Sequence, residues 1–392
     1  MISDSLSAQS ACEPAVSIGI IAWNEAEVIG ATLGSLLQQD LFAELGRRGE
    51  TAEIICIANG CTDGTAAIAR SVLETHPGPL FASGRVVELA ERGKLNAWNR
   101  FVHNFSARRA PLLILMDADI VFREPETLRR MCGLLETHPG VSVAVDRPVK
   151  DIALTGARGW RAWLSRSAST VTQGVPGRMS GQLYAIRSAV ARNIYLPRDL
   201  GACDDGFIKA LVCTDFFTHP VVPGRIQCAP GASHTFAAYV GVGDLIRNRR
   251  RQMIGQTMVH LLVDGCLSRI PVAWDRCLAE TIHFQDQVDP AWLKRLLAVH
   301  LHRTRWFWRL YPGLLTARGR EWRGLPWRKR LTCLPALGAD FALNLICAWQ
   351  ARRLLRRGAT DYWPDTRSPG LAKLSRARPT AAPRSSVLPS SP

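Results

Sequence analysis

Leu112-Leu113-Ile114-Leu115-Met116-Asp117-Ala118-Asp119 is an apolar run that ends on two carboxylates one residue apart. It is short, almost wholly apolar and preceded by Pro111, which predicts a buried strand. Two acids cannot sit in the middle of a strand buried on both faces, because an unpaired buried carboxylate is too costly. At the C-terminal end they can, since in open α/β sheets ligands bind in the crevice outside that end. Two hard oxygen ligands there suit Mg²⁺ or Mn²⁺ carrying a substrate phosphate. The competing reading is a strand-end turn with two solvated acids.

The flanking sequence repeats this pattern. Val16 to Ala22 is an apolar run ending at Trp23-Asn24-Glu25, followed by a helical pattern through Val28, Ile29, Leu33, Leu36 and Leu37. Glu53 to Ala58 ends at Asn59-Gly60-Cys61-Thr62-Asp63-Gly64-Thr65, and a second helical pattern follows. Arg85 to Leu89 reads as a third strand, Gly93 to Phe105 as a helix, and Pro125 to Leu135 as the helix after the quoted run. Alternating strands and helices predict an α/β class with a mostly parallel sheet covered on both faces. Three of the strands then end in polar loops on one shared edge. Beyond Val145 the pattern loosens: Asp204-Asp205 stand at a helix start, Leu245 to Met258 reads as a basic helix, and the chain is helical and basic from about Gly265.

Composition narrows the class. The 392 residues suffice for a full core, and a 47% hydrophobic content with 21% charged residues excludes a disordered chain. The net charge of +16 points to polyanionic partners: anionic lipid, nucleic acid or phosphorylated substrates. No nucleic-acid-binding motif accompanies it, so nucleic acid is not among the expected partners. Between Leu301 and Thr360 stand 13 Lys/Arg and two acids, Glu321 and Asp340. Eleven cysteines, none in a CxxC pair and several in apolar strings (Cys56, Cys213, Cys333, Cys347), read as buried free thiols in a reducing cytoplasm. Met1 to Glu13 lacks the basic start and apolar core of a signal peptide. Leu331 to Trp349 is mostly apolar but carries Asp340 and Asn344, which argues against a spanning helix. Its basic flanks, and Trp306, Trp308, Trp322 and Trp327 before it, favour an interfacial helix over a plain core helix. The expected location is therefore cytoplasmic, peripheral at the inner face of the cell membrane, with an anionic membrane surface as partner.

Seven motifs stand in a fixed order: Ala22-Trp23-Asn24-Glu25; Asn59 to Thr65; Arg92-Gly93-Lys94-Leu95-Asn96-Ala97-Trp98-Asn99; Asp117-Ala118-Asp119; Gly181-Gln182-Leu183-Tyr184-Ala185-Ile186-Arg187; Asp204-Asp205; and Arg249-Arg250-Arg251. Together, over about Val16 to Gln256, they resemble glycosyltransferase family 2. The resemblance implies a GT-A fold, Rossmann-like with flanking helices, and inverting, metal-dependent transfer from a nucleotide-sugar. It divides the chain into a flexible N-terminus (1–14), a transferase domain (15–260), a basic helical region (261–367) and a disordered tail (368–392).

The resemblance also implies roles. Asn24 and Glu25 would meet the base and ribose, against plain helix capping. Asp63 would contact the base, against an Asp-Gly turn. Lys94 would stand beside the diphosphate as a point charge, against a solvated lysine at a helix start. Asp119 would ligate Mg²⁺ or Mn²⁺ and Asp117 would contact the donor and assist the metal. Asp205 would be the general base, accepting the acceptor hydroxyl's proton opposite the leaving diphosphate. Asp204 takes the place where the family usually has Glu. Gly181 and Gln182 would line the acceptor side, against a simple strand start. Arg250 and Arg251 sit where processive members carry Gln-x-x-Arg-Trp; that motif is absent, which implies a non-processive enzyme. An arginine there would clamp the diphosphate, against a solvated basic face.

The expected activity is thus hexosyl transfer from a nucleoside-diphosphate-sugar, a UDP-sugar by preference, to an acceptor glycan or lipid-linked sugar, as in cell-envelope polysaccharide assembly. Two readings compete: a catalytically retired, membrane-associated scaffold on the same fold, and a nucleotidyltransferase. The three acids Asp117, Asp119 and Asp205 speak against the first, and the Trp23-Asn24-Glu25 loop, which is not glycine-rich, against the second.

Overall fold

The computed structural model describes residues 13–75, 83–151, 177–201, 203–236, 242–265, 267, 278–304 and 334–358. Most of the expected N-terminal arm, the tail, Cys333, the four tryptophans before residue 331 and the basic run 328–330 lie outside the described residues.

The chain alternates as expected through its first half. Strand β1 (Val16–Ala22) leads to helices α1 (Ile29–Leu37) and α2 (Leu41–Arg47), then β2 (Ala52–Asn59), α3 (Thr65–Thr75), β3 (Ser83–Leu89) and α4 (Lys94–Arg100). A π-helical turn, Phe101–Phe105, continues α4 before β4 (Leu112–Asp117), β5 (Ile120–Phe122) and α5 (Thr127–Thr137). Then come β6 (Val143–Lys150), β7 (Leu183–Arg187), the short α6 (Ser188–Ala191), α7 (Asp204–Cys213) and β8 (Ile226–Phe236). Four helices complete the described chain: α8 (Val242–Gly265), α9 (Leu278–Val288), α10 (Trp292–Arg303) and α11 (Leu334–Arg356).

The eight strands form one sheet in the order β3-β2-β1-β4-β7-β6-β8-β5. The half expected from the sequence, β3-β2-β1-β4, is wholly parallel. The other half is mixed: β7 runs antiparallel to β4 and β6, β8 is parallel to β6, and β5 is antiparallel to β8. The chain is therefore α/β with a mixed sheet.

The period of two along each strand sorts the core into two layers. Ile54, Cys56, Ile114 and Met116 face one layer, which α1, α2, α3 and α5 cover. Ile55, Ile57, Leu113 and Leu115 face the other, which continues through Trp98, Phe101 and Phe207 to Met258, Leu297 and Leu355. The C-terminal helices thus share a core with the sheet. Helix α8 runs through residue 260, where the sequence reading placed a boundary.

The π-helical turn has a packing role. Phe101 lies flat on β1 at Gly19, where a Cβ would sit 2.7 Å from the ring. A side chain at residue 19 would push α4, and Lys94 at its first turn, away from the sheet edge.

Candidate active site

The polar loops after β1, β2 and β3 are tied into one surface. Asn24, in the left-handed region at φ 52°, accepts a hydrogen bond from the Thr62 N–H at 2.8 Å and donates to the Thr62 hydroxyl at 3.2 Å. It does not cap α1, whose N-cap is Val28. The Glu25 N–H donates to Thr65 Oγ1 at 2.8 Å. Asp63 accepts from the Thr65 N–H at 3.0 Å and from the Ala26 N–H at 3.2 Å. Burial pushes the Asp63 carboxyl up, but those hydrogen bonds outweigh it and hold its pKa below the ordinary carboxylate value. The carboxylate is therefore charged at neutral pH and begins α3.

The third loop closes on the second. Asn59 Oδ1 accepts from the Gly93 N–H at 2.9 Å, and the Gly60 N–H donates to the Leu89 carbonyl at 2.9 Å. Gly60 has φ +66°, and a Cβ there would lie 2.8 Å from the Arg92 backbone nitrogen. The Arg92 guanidinium stacks 3.3 Å above the Trp23 ring. Gly60→Ala is expected to destabilise the fold by about 1–3 kcal/mol, because it meets both a strained φ and a backbone clash. Urea unfolding measures it.

The acids meet at the carboxyl end of β4. Asp117 is the first residue of that strand to leave full burial, and its N–H donates to the Gln182 carbonyl at 2.8 Å. The Thr32 hydroxyl of α1 donates to the Ala118 carbonyl at 2.7 Å and pins the turn. The Lys94 ammonium donates to Asp117 Oδ1 at 2.7 Å and lies 3.9 Å from Asp204 Oδ2. Burial works against that charge, but Asp117 and Asp204 outweigh it and push the Lys94 pKa above the ordinary lysine value. Gly181 stands against the acids from the other side: a Cβ there would lie 3.3 Å from Asp205 Cβ and 4.0 Å from Asp204 Oδ2. Under them, Trp98 Nε1 donates to the buried Tyr184 hydroxyl at 2.6 Å, which locks α4 to β7.

Asp204 and Asp205 open α7. Asp205 accepts from the Gly206 N–H at 2.8 Å, yet burial and the neighbouring Asp204 charge raise its pKa to about 6. Asp119 is also raised to about 6, by burial and by the charge of Asp117. The three arginines of α8 part company. Arg249 pairs with Asp340 at 2.7 Å, and Arg250 donates to Gln350 at 3.2 Å, both on α11. Arg251 bears on Lys94, Asp117 and Asp205 through its charge.

One residue absent from the sequence reading joins this group. His234 on β8 is fully buried, with Nδ1 2.6 Å from Asp146 Oδ2. With Nδ1 turned to Asp146, a neutral ring would present a lone pair at Nε2. Among the described residues, that Nε2 is buried with no hydrogen-bond partner, and the ring lies within electrostatic reach of Asp119. An imidazole nitrogen within electrostatic reach of the largely buried Asp119 carboxylate fits a divalent cation, although no three His, Cys, Asp or Glu side chains among the described residues already converge on one point. The only signal in the sequence was a histidine in an otherwise small, polar strand, and its partner lies 88 residues away.

A family model described as glycosyl transferase family 2 matches residues 17–187. Among solved structures, the chain is similar to a mannosyltransferase from Pyrobaculum calidifontis in complex with GDP-Man and Mn²⁺, at 19% identity, over 86% of this chain and 87% of that one, with a TM-score of 0.49. It is similar to TarS of S. aureus at 16% identity, over 88% and 55% of the two chains, with a TM-score of 0.42. It is similar to glucosyl-3-phosphoglycerate synthase from Mycobacterium tuberculosis at 17% identity, over 64% and 79%, with a TM-score of 0.41. No curated protein matches the chain.

Proposed function

Residues 17–187 belong to glycosyl transferase family 2, and from that premise we propose that the chain is an inverting, metal-dependent, non-processive glycosyltransferase. Its donor is a nucleoside-diphosphate-sugar, a UDP-sugar by preference. Its acceptor is the hydroxyl of a glycan or lipid-linked sugar. The observation that carries this reading is the meeting of Asp117, Lys94, Asp204 and Asp205 at one sheet edge, with Gly181 and Gln182 between them.

Asp205 takes the proton of the acceptor hydroxyl as that oxygen bonds to the anomeric carbon. The bond from that carbon to the diphosphate oxygen breaks, and the electron pair leaves with the diphosphate. A base with a pKa of about 6 is ionised at neutral pH and still basic enough to receive the proton. Lys94 and Arg251 set positive charge where the leaving group gathers negative charge. Asp119, with Asp117 and Nε2 of His234, would hold Mg²⁺ or Mn²⁺, which supplies neutralisation of the diphosphate. Asn24, Glu25 and Asp63 hold the loops on which base and ribose rest. We assign 15–260 to the transferase domain. The basic region 261–367 is assigned to an anionic membrane surface at the inner face of the cell membrane, on the strength of its arginines.

Calorimetry with UDP and with GDP, each with and without Mn²⁺, tests the reading. Binding is expected to require the metal, to survive Asp205→Asn, and to weaken at least about 100-fold in Asp119→Ala. Metal-independent binding, or none, would sink it.

A further inference from the structure

Helix α11 packs Cys347, Ala348, Ala351 and Leu355 into the core and turns three polar side chains toward α8. Asp340 pairs with Arg249, Asn344 donates to Asp340 at 3.0 Å and accepts from Arg249, and Gln350 accepts from Arg250. The face at helical spacing opposite these is apolar and exposed. Phe341 is 41% exposed, Ile346 51% and Trp349 52%. One turn on, the same stripe becomes basic, with Arg353 5.8 Å from the Trp349 ring and Arg356 and Arg357 exposed beyond it. A helix that merely filled a groove would turn Phe341, Ile346 and Trp349 inward and Asp340 and Asn344 to water.

No described helix is long and apolar enough to cross a membrane. An apolar stripe running into arginines is the pattern of a helix lying in a bilayer interface, aliphatic and aromatic groups in the acyl boundary and guanidinium groups among phosphates. Trp349 has the amphipathic ring suited to that depth. Asp340 is the sole acid in α11, and it faces Arg249. The exposed face therefore offers no carboxylate to the arginines of a second copy, which argues against self-association through it.

We propose that the Phe341–Ile346–Trp349 face of α11, with Arg353 and Arg356, is the surface by which this protein docks on an anionic phospholipid bilayer. The proposal rests on the membrane-surface part of the function proposed above and names the face responsible. Docking there would also orient the catalytic edge. Arg249 and Arg250 fasten α8 to α11, and the next residue, Arg251, bears on Lys94, Asp117 and Asp205. The lipid surface and the carboxylates would then be held by adjacent residues of one helix.

Flotation of the full chain with phosphatidylcholine vesicles, and with vesicles in which about a third of the lipid is phosphatidylglycerol, tests this. The wild type is expected to float with the anionic vesicles only. Ile346→Ser/Trp349→Ser should lower the bound fraction about ten-fold, and Arg353→Gln/Arg356→Gln should lower it and flatten its salt dependence. All four residues are outside the core, so far-UV circular dichroism and thermal unfolding should match the wild type. No flotation of the wild type would overturn both this proposal and the membrane assignment it rests on. Equal flotation of the serine variant would overturn this proposal alone. So would light scattering that finds a wild-type dimer dissolved by the serine substitutions, because the face would then bind a second copy. Nucleotide calorimetry on the same variants reads the transferase assignment separately.

Discussion

Asp205→Asn is expected to cut sugar transfer by about 10²–10⁴-fold while leaving metal-dependent nucleotide binding intact. It is also expected to make the protein more stable at neutral pH. The Asp205 pKa is about 6 in the fold, raised by burial and by Asp204, and ordinary for a carboxylate in the unfolded chain. Between those two values the native state holds more protons than the unfolded state, so stability falls as pH rises through that window. At pH 7 the cost of ionising Asp205 in place is fully present. Asparagine removes it, together with the repulsion from Asp204, for a gain on the order of 1–2 kcal/mol after allowance for partial solvent exposure. Thermal unfolding should show the variant's advantage at pH 7 and its shrinkage toward pH 4. The wild-type pH–rate profile should fall below about pH 6, as Asp205 and Asp119 take up protons. If Asp205→Asn keeps full transfer while Asp204→Asn loses it, the base is Asp204.

Lys94→Met is expected to damage both fold and reaction. The half-buried ammonium holds Asp117 at 2.7 Å and Asp204 at 3.9 Å. Without it the two carboxylates face one another with no nearby counter-charge from α4. Removing one partner of a buried ion pair costs about 3–5 kcal/mol; the solvent access of this site lowers the expectation to about 2–4 kcal/mol. Transfer should fall by a further factor of about 10²–10³ through loss of positive charge beside the leaving group. Lys94→Arg restores the charge but as a wider, planar fork, so it should recover stability more than rate. Urea titration and single-turnover transfer, measured side by side, separate the two effects. A methionine variant with wild-type stability and turnover would refute the role.

The legible part of this protein is the part that obeys the period of two on both faces. Strand β2 is buried throughout and β1 and β4 at all but one residue each, so they stand out as apolar runs, and their parallel pairing places the following loops on one edge without further information. Strand β5 has three residues, too few to show a pattern; Gly224 to Thr235 reads as a strand and turn, and β8 (Ile226–Phe236) takes that place, though Pro230 and Gly231 hide its pairing from the sequence. The pairing of His234 with Asp146 depends on the β6–β8 neighbourhood, which forms between segments far apart in the chain. The three arginines of α8 look equivalent as a string. The approach of α11 divides them, two to Asp340 and Gln350, while the charge of Arg251 acts on Asp117 and Asp205. Asn24 and Asp63 were expected at the nucleotide. The fold engages both side chains in joining the loops after β1 and β2, a detail that needs coordinates because Thr62 and Ala26 lie on separate turns.

The position of Lys94 carries a further consequence. In the function proposed above Asp117 serves the donor and Asp204 the acceptor, and the one ammonium that meets both, at 2.7 and 3.9 Å, would put the two sides in electrical communication. A diphosphate and its divalent cation seated beside Lys94 would change the net charge that Asp204 faces, and through it the proton affinity of the adjacent Asp205. Donor loading would thereby retune the proposed base.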